Sequence, residues 1–309
     1  MPDSLFLPDN LLGNPAFELD GDDACYPEVL HELETAPKQL YGIGCEDALQ
    51  PGIAVIGARN ATPYGIRAAR LIAGWAAELG LVVYSGCARG CDQAAHRGAL
   101  DAGGRTVAVL GCGADIVYPQ QAQGLMTKIA ATGAVISQFP WGTPPMPYRF
   151  RERNWLIAAL SMLVIVTEAR LPSGTLSTVH HALDLGVAVA AVPGSILSLE
   201  SAAPNRLISE GAFPIACRDD LALACGLSSA RRPVELLFPQ ASYDRDDSDK
   251  GRSAARIASA LQAMPSLPDE LAEELELSLA EVLETIGHLE VQGVLVRYPD
   301  GRYGGVGTQ

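Results

Sequence analysis

Residues 85–96 read Ser85-Gly86-Cys87-Ala88-Arg89-Gly90-Cys91-Asp92-Gln93-Ala94-Ala95-His96, and this stretch decides the fold. It follows Leu81-Val82-Val83-Tyr84, an apolar run too short for a helix and rich in β-formers, which predicts a buried strand. Behind it a helical pattern starts near Asp92, a good N-cap, and stops at Gly103-Gly104. A short glycine-bearing loop therefore joins a strand end to a helix start. Such a turn aims backbone N–H groups and the positive end of a helix dipole at one spot, which suits an anion such as phosphate. Arg89 adds a fixed positive charge. The same glycines also serve a plain tight turn, so the loop alone leaves both readings open.

Outward from this loop the chain repeats the same unit. Ile53–Ile56, Thr106–Leu110, Ala134–Ser137, Met162–Val166 and Val187–Val192 are short apolar runs that read as strands. Helical patterns stand between them. Thr62-Pro63 reads as N-cap and N1 of a helix whose apolar face is Leu71, Ile72, Trp75, Ala76 and Leu79, closed by Gly80. Others run near 121–131, from Phe150 into Leu160, from Leu176 to Leu185 before Gly186, and over Asn205–Ile208. Strands apolar on both faces and alternating with helices predict an α/β parallel sheet covered on both sides. Ligands then bind at the carboxyl ends of the strands. There the sequence places Gly57 and Arg59; Ser85, Gly86, Arg89 and Gly90; Gly111 and Gly113; Glu168 followed by Gly174-Thr175; and Pro193-Gly194. Small-residue turns and arginines converging on one rim point to anion binding.

The charge distribution agrees. The chain has 309 residues and a formal net charge of −14. Residues 1–50 hold 11 acidic and 1 basic side chain, 51–218 hold 9 and 13, and 219–309 hold 16 and 8. A basic middle thus lies between acidic flanks. The seven cysteines include no C-x-x-C pair, which predicts reduced thiols in a cytoplasmic protein and no zinc site. No apolar run suits a transmembrane helix and the N-terminus has no basic stretch, so neither a membrane span nor a signal peptide is expected. His180-His181 have no partner at ligand spacing, and a local bond from His96 to Asp92 is expected one turn away.

Four regions are expected: an acidic segment 1–50, irregular over 1–25, with a helix over Tyr26–Leu33 and an apolar piece Leu40–Gly44 set on the core; a binding domain 51–225; a charged linker 226–251; and a domain 252–309. The last holds helical patterns at Ser253–Leu261, Pro268–Leu275 and Ser278–Val291, then a hairpin through Asp300-Gly301. This predicts a helix-turn-helix with a wing. Its third helix carries Glu281, Glu284 and Glu290 and no Lys or Arg, so repulsion from phosphates favours a protein contact over duplex DNA.

The motifs G-A-R at 57–59, S-G-x-A-R-G-x-D at 85–92 with His96, and G-C-G-x-D-x-x-Y-P at 111–119 occur in order. So do F-x-x-R-N at 150–154, S-G-T-L at 173–176, V-P-G-S at 192–195 and N-x-L-I at 205–208. Together, over about residues 51–215, they resemble the DprA/Smf family of DNA-processing proteins, and residues 253–303 resemble the winged helix many members carry. The resemblance implies an extended Rossmann-like domain that binds single-stranded DNA and dimerises. It implies protection of incoming DNA in natural transformation, loading of the RecA recombinase, and no catalysis. By motif position it implies DNA contacts from Arg59, from Gly86, Arg89 and Gly90, and from Arg153-Asn154. Departures are Ala58 for a usual Ser or Thr, Gln138 for Glu, Trp155 for Arg, and Gln120-Gln121 where basic residues are common.

The expected mechanism places phosphates on Arg59, Arg89 and Arg153, with N–H donors at the helix starts near Asp92 and Thr175. Trp155, Tyr148 and Phe150 are candidates for base stacking, with core packing the competing reading. Asp115 and Glu168 are candidate carboxylates, with a buried structural role as the default. The rival enzyme reading is a phosphoribohydrolase of the lysine-decarboxylase-like type, built on P-G-G-x-G-T-x-x-E. Here Gly174-Thr175 matches, but Thr178 stands where the catalytic glutamate belongs. A dinucleotide-dependent oxidoreductase is disfavoured because no G-x-G-x-x-G follows the first strand.

Overall fold

The computed structural model describes residues 13–227 and 249–305, which form two compact units. In the first unit the order begins β1 (Ala16–Asp20), α1 (Glu28–His31), β2 (Gln39–Gly44), β3 (Gly52–Ile56), α2 (Pro63–Glu78), β4 (Val82–Ser85), α3 (Cys91–Asp101) and β5 (Thr106–Val109). It continues α4 (Gln123–Thr132), β6 (Ala134–Ser137), α5 (Pro147–Ala159), β7 (Ser161–Val166), α6 (Leu176–Asp184), β8 (Ala188–Ala191), α7 (Ala202–Ser209), β9 (Phe213–Pro214) and α8 (Arg218–Ala224). The nine strands make one sheet in the order β1-β2-β6-β5-β4-β3-β7-β8-β9. From β6 to β9 all neighbours are parallel; β2 runs antiparallel to β6 and β1 to β2.

Strands β3 to β6 are buried at every position because both faces are covered. Successive residues of β3 alternate between two layers. Ala54 and Ile56 pack with Leu156 and Val179 under α5 and α6, whereas Ile53 and Val55 pack with Ile72 and Ala95 under α2 and α3. Helix α2 starts as its sequence predicts: the Thr62 hydroxyl accepts from Gly65 N and Pro63 occupies the first turn. Its buried face is Ala69, Ile72, Ala73 and Ala76, while Leu71 is 38% exposed. The expected apolar face is therefore rotated, because small residues let α2 press closely on α3.

The largest correction is at the N-terminal end. Residues 16–20, expected to be irregular, form β1, which pairs with β2 over the apolar Leu40–Gly44 piece and extends the sheet beyond β6, and the expected helix over 26–33 shrinks to Glu28–His31. Strand β1 reads Ala-Phe-Glu-Leu-Asp, with Phe17 and Leu19 buried and the acids outward. Gly42 makes room for Phe17, since a Cβ there would come within 2.1 Å of the ring.

The second unit holds α9 (Asp249–Ala263), α10 (Pro268–Leu275), α11 (Leu279–Val291) and the antiparallel hairpin β10 (Leu295–Arg297)–β11 (Tyr303–Gly305). Helix α9 starts earlier than expected, so the proposed linker ends sooner; residues 228–248 of it lie outside the described residues. Ile257, Leu261, Leu271, Val282, Ile286, Leu289 and Leu295 form this unit's own core. Ser278 caps α11 by accepting from Glu281 N.

Candidate functional site

The parallel order changes direction between β3 and β7, because successive strands go outward from β3 on one side and from β7 on the other. At this switch point the loops after two strands diverge and leave a crevice. A cleft of about 540 Å³ lies there, lined by Gly57, Arg59, Arg151, Arg153, Asn154, Gly174, Thr175 and their neighbours. A smaller cleft of about 110 Å³ adjoins it, between Arg59, Gly86, Arg89, Gly111, Tyr118 and Phe150. Of the sequence-predicted residues, all but Ser85 and Gly90 line one or both clefts.

Gly90 instead locks the rim together. It begins α3 with φ 85° and ψ −129°, and a Cβ there would lie 2.2 Å from the Ala58 carbonyl oxygen. The next amide, Cys91 N, donates to that same oxygen at 3.2 Å. The arginine loop after β3 and the glycine loop after β4 thus touch backbone to backbone. Thr175 Oγ1 donates to the Gly57 carbonyl at 3.2 Å, tying in the loop before α6. Asn154 Nδ2 donates to Ser177 Oγ at 2.7 Å, joining α5 to α6. Glu168 accepts from Thr62 N at 2.9 Å and from its hydroxyl at 2.6 Å, which anchors the start of α2 to the end of β7.

The arginines divide into two kinds. Arg59, Arg89 and Arg151 are exposed and have no carboxylate partner among the described residues. The Arg59 guanidinium lies 5.7 Å from the Phe150 ring centre, which holds it across the rim. Arg153 is 4% exposed, and its Nη1 and Nε groups are bonded within the chain. Nη1 donates to the Gly86 carbonyl at 3.0 Å and to the Val109 carbonyl, and Nε donates to Asn154 Oδ1 at 3.1 Å. Arg153 braces the loop from below, whereas Arg151, two residues earlier on α5, is exposed. Arg170 also lines the larger cleft but is paired with Glu200, Nε donating to Oε1 at 2.9 Å. Arg151 and Arg170 were legible only as charges; their placement depends on the α5 and β7 geometry.

Several expectations are corrected. Asp92 does not cap α3; Gly90 holds that position. Asp92 is buried under the loop and accepts from Ala88 N at 3.3 Å. Burial pushes its carboxyl up to about 6, against the pull of the Arg153 charge and of backbone N–H groups. Ser85 is wholly buried and its hydroxyl donates to the Val55 carbonyl at 2.7 Å, so it serves the sheet and not the rim. His96 bonds Thr106 and not Asp92, Nδ1 to Oγ1 at 2.7 Å. Since that hydroxyl donates to Val83 O, it accepts from His96, and burial lowers the imidazole to about 3. Asp115 and Glu168 serve different loops, Asp115 accepting from Gly142 N. Trp155 packs partly buried against the core, as the core-packing reading had it, while Tyr148 is 56% exposed and Phe150 lines both clefts. The thiols of Cys87, Cys91 and Cys112 are buried, and burial raises each of them. No cluster of three His, Cys, Asp or Glu side chains suits a metal among the described residues.

Fold and site together define a doubly wound α/β protein with a basic, phosphate-compatible rim at its switch point, joined in sequence to a winged-helix unit. Comparison with known proteins narrows this class. Residues 19–225 match the family described as DNA recombination-mediator protein A, and residues 241–301 match the DprA winged helix domain. The chain belongs to the DprA/Smf family of DNA-processing proteins.

Among its relatives, Protein Smf of Synechocystis is 30% identical, over 96% of this chain and 82% of that one. The putative DNA processing protein DprA of Mycobacterium tuberculosis is 37% identical, over 87% and 68%. The solved DprA of Streptococcus pneumoniae aligns with a TM-score of 0.63 at 38% identity, covering 70% of this chain and 75% of that one. DNA processing protein A of Helicobacter pylori, described for its single-stranded DNA binding mode, aligns with a TM-score of 0.63 at 28% identity, over 70% and 99%.

Proposed function

We propose that this protein binds single-stranded DNA along the rim at the carboxyl ends of β3 to β7, protects incoming strands during DNA uptake, and loads a RecA-type recombinase on them. The carrying observation is the trio Arg59, Arg89 and Arg151, exposed, without carboxylate partners among the described residues, and delivered by three separate elements to two adjoining clefts that share Arg59. Guanidinium forks suit phosphate oxygens bidentately. The N–H donors expected at the starts of α3 and α6 are instead taken within the chain, Cys91 N by Ala58 O, Gln93 N by Ala88 O, Leu176 N by Ser173 O and Ser177 N by Gly174 O, so the guanidinium groups carry the contact. Phe150 and exposed Tyr148 offer faces on which bases stack. The single-stranded DNA binding described for the Helicobacter pylori relative supports this reading. In it the protein works as a cytoplasmic homodimer, without catalysis, and the winged helix contacts protein. Against a phosphoribohydrolase, the position of the required glutamate holds Thr178, a buried residue on the cleft wall.

The test is binding of an oligothymidylate across a salt series. Three arginine–phosphate contacts give a log–log slope of roughly −2 per protomer, at about 0.7 per phosphate on single strands. A flat salt dependence, or Arg59→Ala and Arg89→Ala variants that bind like wild type, sinks the proposal. Base release from AMP by the pure protein would establish the hydrolase instead.

A further inference from the structure

The winged-helix unit carries a feature that its own packing does not use. Helix α11 buries Val282, Ile286 and Leu289 in the core of its unit. Leu279, Leu283, Gly287 and Val291 recur every fourth residue and make a second ridge on the same helix. Leu279 is 46% exposed, Leu283 47% and Val291 90%. Gly287 is exposed too, and a Cβ there would meet nothing within 4 Å. Glycine inside a helix costs about 1 kcal/mol relative to alanine, and no contact within the unit requires it here. An apolar ridge notched by a glycine lets a crossing helix approach the backbone closely.

The surroundings select the partner. Glu284 and Glu290 flank the ridge, Glu281 lies across the helix from it, and α11 has no Lys or Arg. Residues 252–305 hold nine carboxylate side chains and four guanidinium groups. Such a field repels nucleic-acid phosphates and attracts cations. We propose that the Leu279–Leu283–Gly287–Val291 ridge docks a basic amphipathic helix of a partner protein, its apolar face crossing at Gly287 and its lysines or arginines meeting Glu284 and Glu290. This rests on the winged helix being a protein-contact module and is independent of DNA binding at the rim.

The test uses the full chain and two synthetic helical peptides, each with leucines on one ridge, flanked by lysines in one and by glutamates in the other. The lysine peptide is expected to bind and the glutamate peptide not. Leu283→Ser should weaken binding at least tenfold. Gly287→Ala should raise the thermal midpoint of unfolding yet weaken binding about fivefold or more, opposite signs that a purely structural role does not produce. Glu284→Lys combined with Glu290→Lys should transfer preference to the glutamate peptide. The proposal is overturned if Gly287→Ala leaves peptide binding intact, or if the protein holds duplex DNA and Leu283→Ser releases it. Oligothymidylate binding of these variants is expected to match wild type, so a failure at the rim and a failure on α11 show in different measurements.

Discussion

Two parts of this chain occupy places where other proteins meet nucleic acid: the strand-end rim and helix α11 of the winged helix. They are built in opposite ways. The rim is concave, and its exposed charges at Arg59, Arg89 and Arg151 are positive and unpaired by carboxylates among the described residues. Helix α11 is convex, and its charges are Glu281, half-buried, and the exposed Glu284 and Glu290. Their glycines differ as well. Gly90 is forced by its positive φ and by the carbonyl beneath it, whereas Gly287 has open space. Location in a fold thus says where a ligand can sit, and the side chains decide which ligand it is.

Arg153→Met should break the rim most. It removes the bonds to the Gly86 and Val109 carbonyls and leaves Asp92 without a nearby buried cation. A loss of roughly 3–5 kcal/mol in denaturant unfolding is expected, with part recovered in the Asp92→Asn background. Full stability in the single variant would show that Arg153 is not a strut. Next comes Gly90→Ala, whose Cβ collides with Ala58 O at a φ of 85°. The expected cost is about 3 kcal/mol from strain and overpacking, set against the gain predicted for Gly287→Ala; equal effects at the two glycines would erase the contrast drawn here.

Arg59→Ala and Arg89→Ala act on function alone. Each should weaken oligothymidylate binding about tenfold, with an unchanged melting temperature, and should flatten the salt slope by about 0.7. The smallest effect is on pH. The raised carboxyl of Asp92 keeps its proton in the folded state at pH values where the unfolded chain has released it. Stability from this group therefore declines as pH rises from about 4 through about 6 and is level above. Protonation also removes a negative charge beneath the rim, so oligonucleotide affinity should rise a few-fold between pH 7 and 5.5. Asp92→Asn should abolish both trends, and their persistence would point to another group.

Most of the parallel sheet was legible because its strands are short, apolar runs bounded by glycines, and because Thr62-Pro63 and Gly80 are local signals that tertiary packing leaves intact. Strand β1 was not, since its outward Glu18 and Asp20 sit in a generally acidic stretch that hides a period of two. The glycine loops could be placed at the rim from their position after strands. Which arginine faces solvent could not: Arg151 and Arg153 are two residues apart on α5, and only the packing of that helix on β5 and β7 turns one outward and the other in. The burial of Asp92 was hidden for a similar reason, because a good N-cap residue two positions past Gly90 gives way to the loop-to-loop contact that Gly90 makes.

That contact has a consequence for selectivity. The loop after β3 is fastened to α3, and the loop before α6 to Gly57, so the backbones that carry the rim are tied to one another. In the proposed role, a braced rim leaves most conformational adjustment to the guest. A single strand, with freely rotating backbone torsions, can bend its phosphates into register with the three guanidinium groups. A duplex has a persistence length of about 150 base pairs and meets the same spacing only by deforming. On the reading proposed above, stiffness itself is the discriminator, and the protein tells one strand from two without touching a base pair.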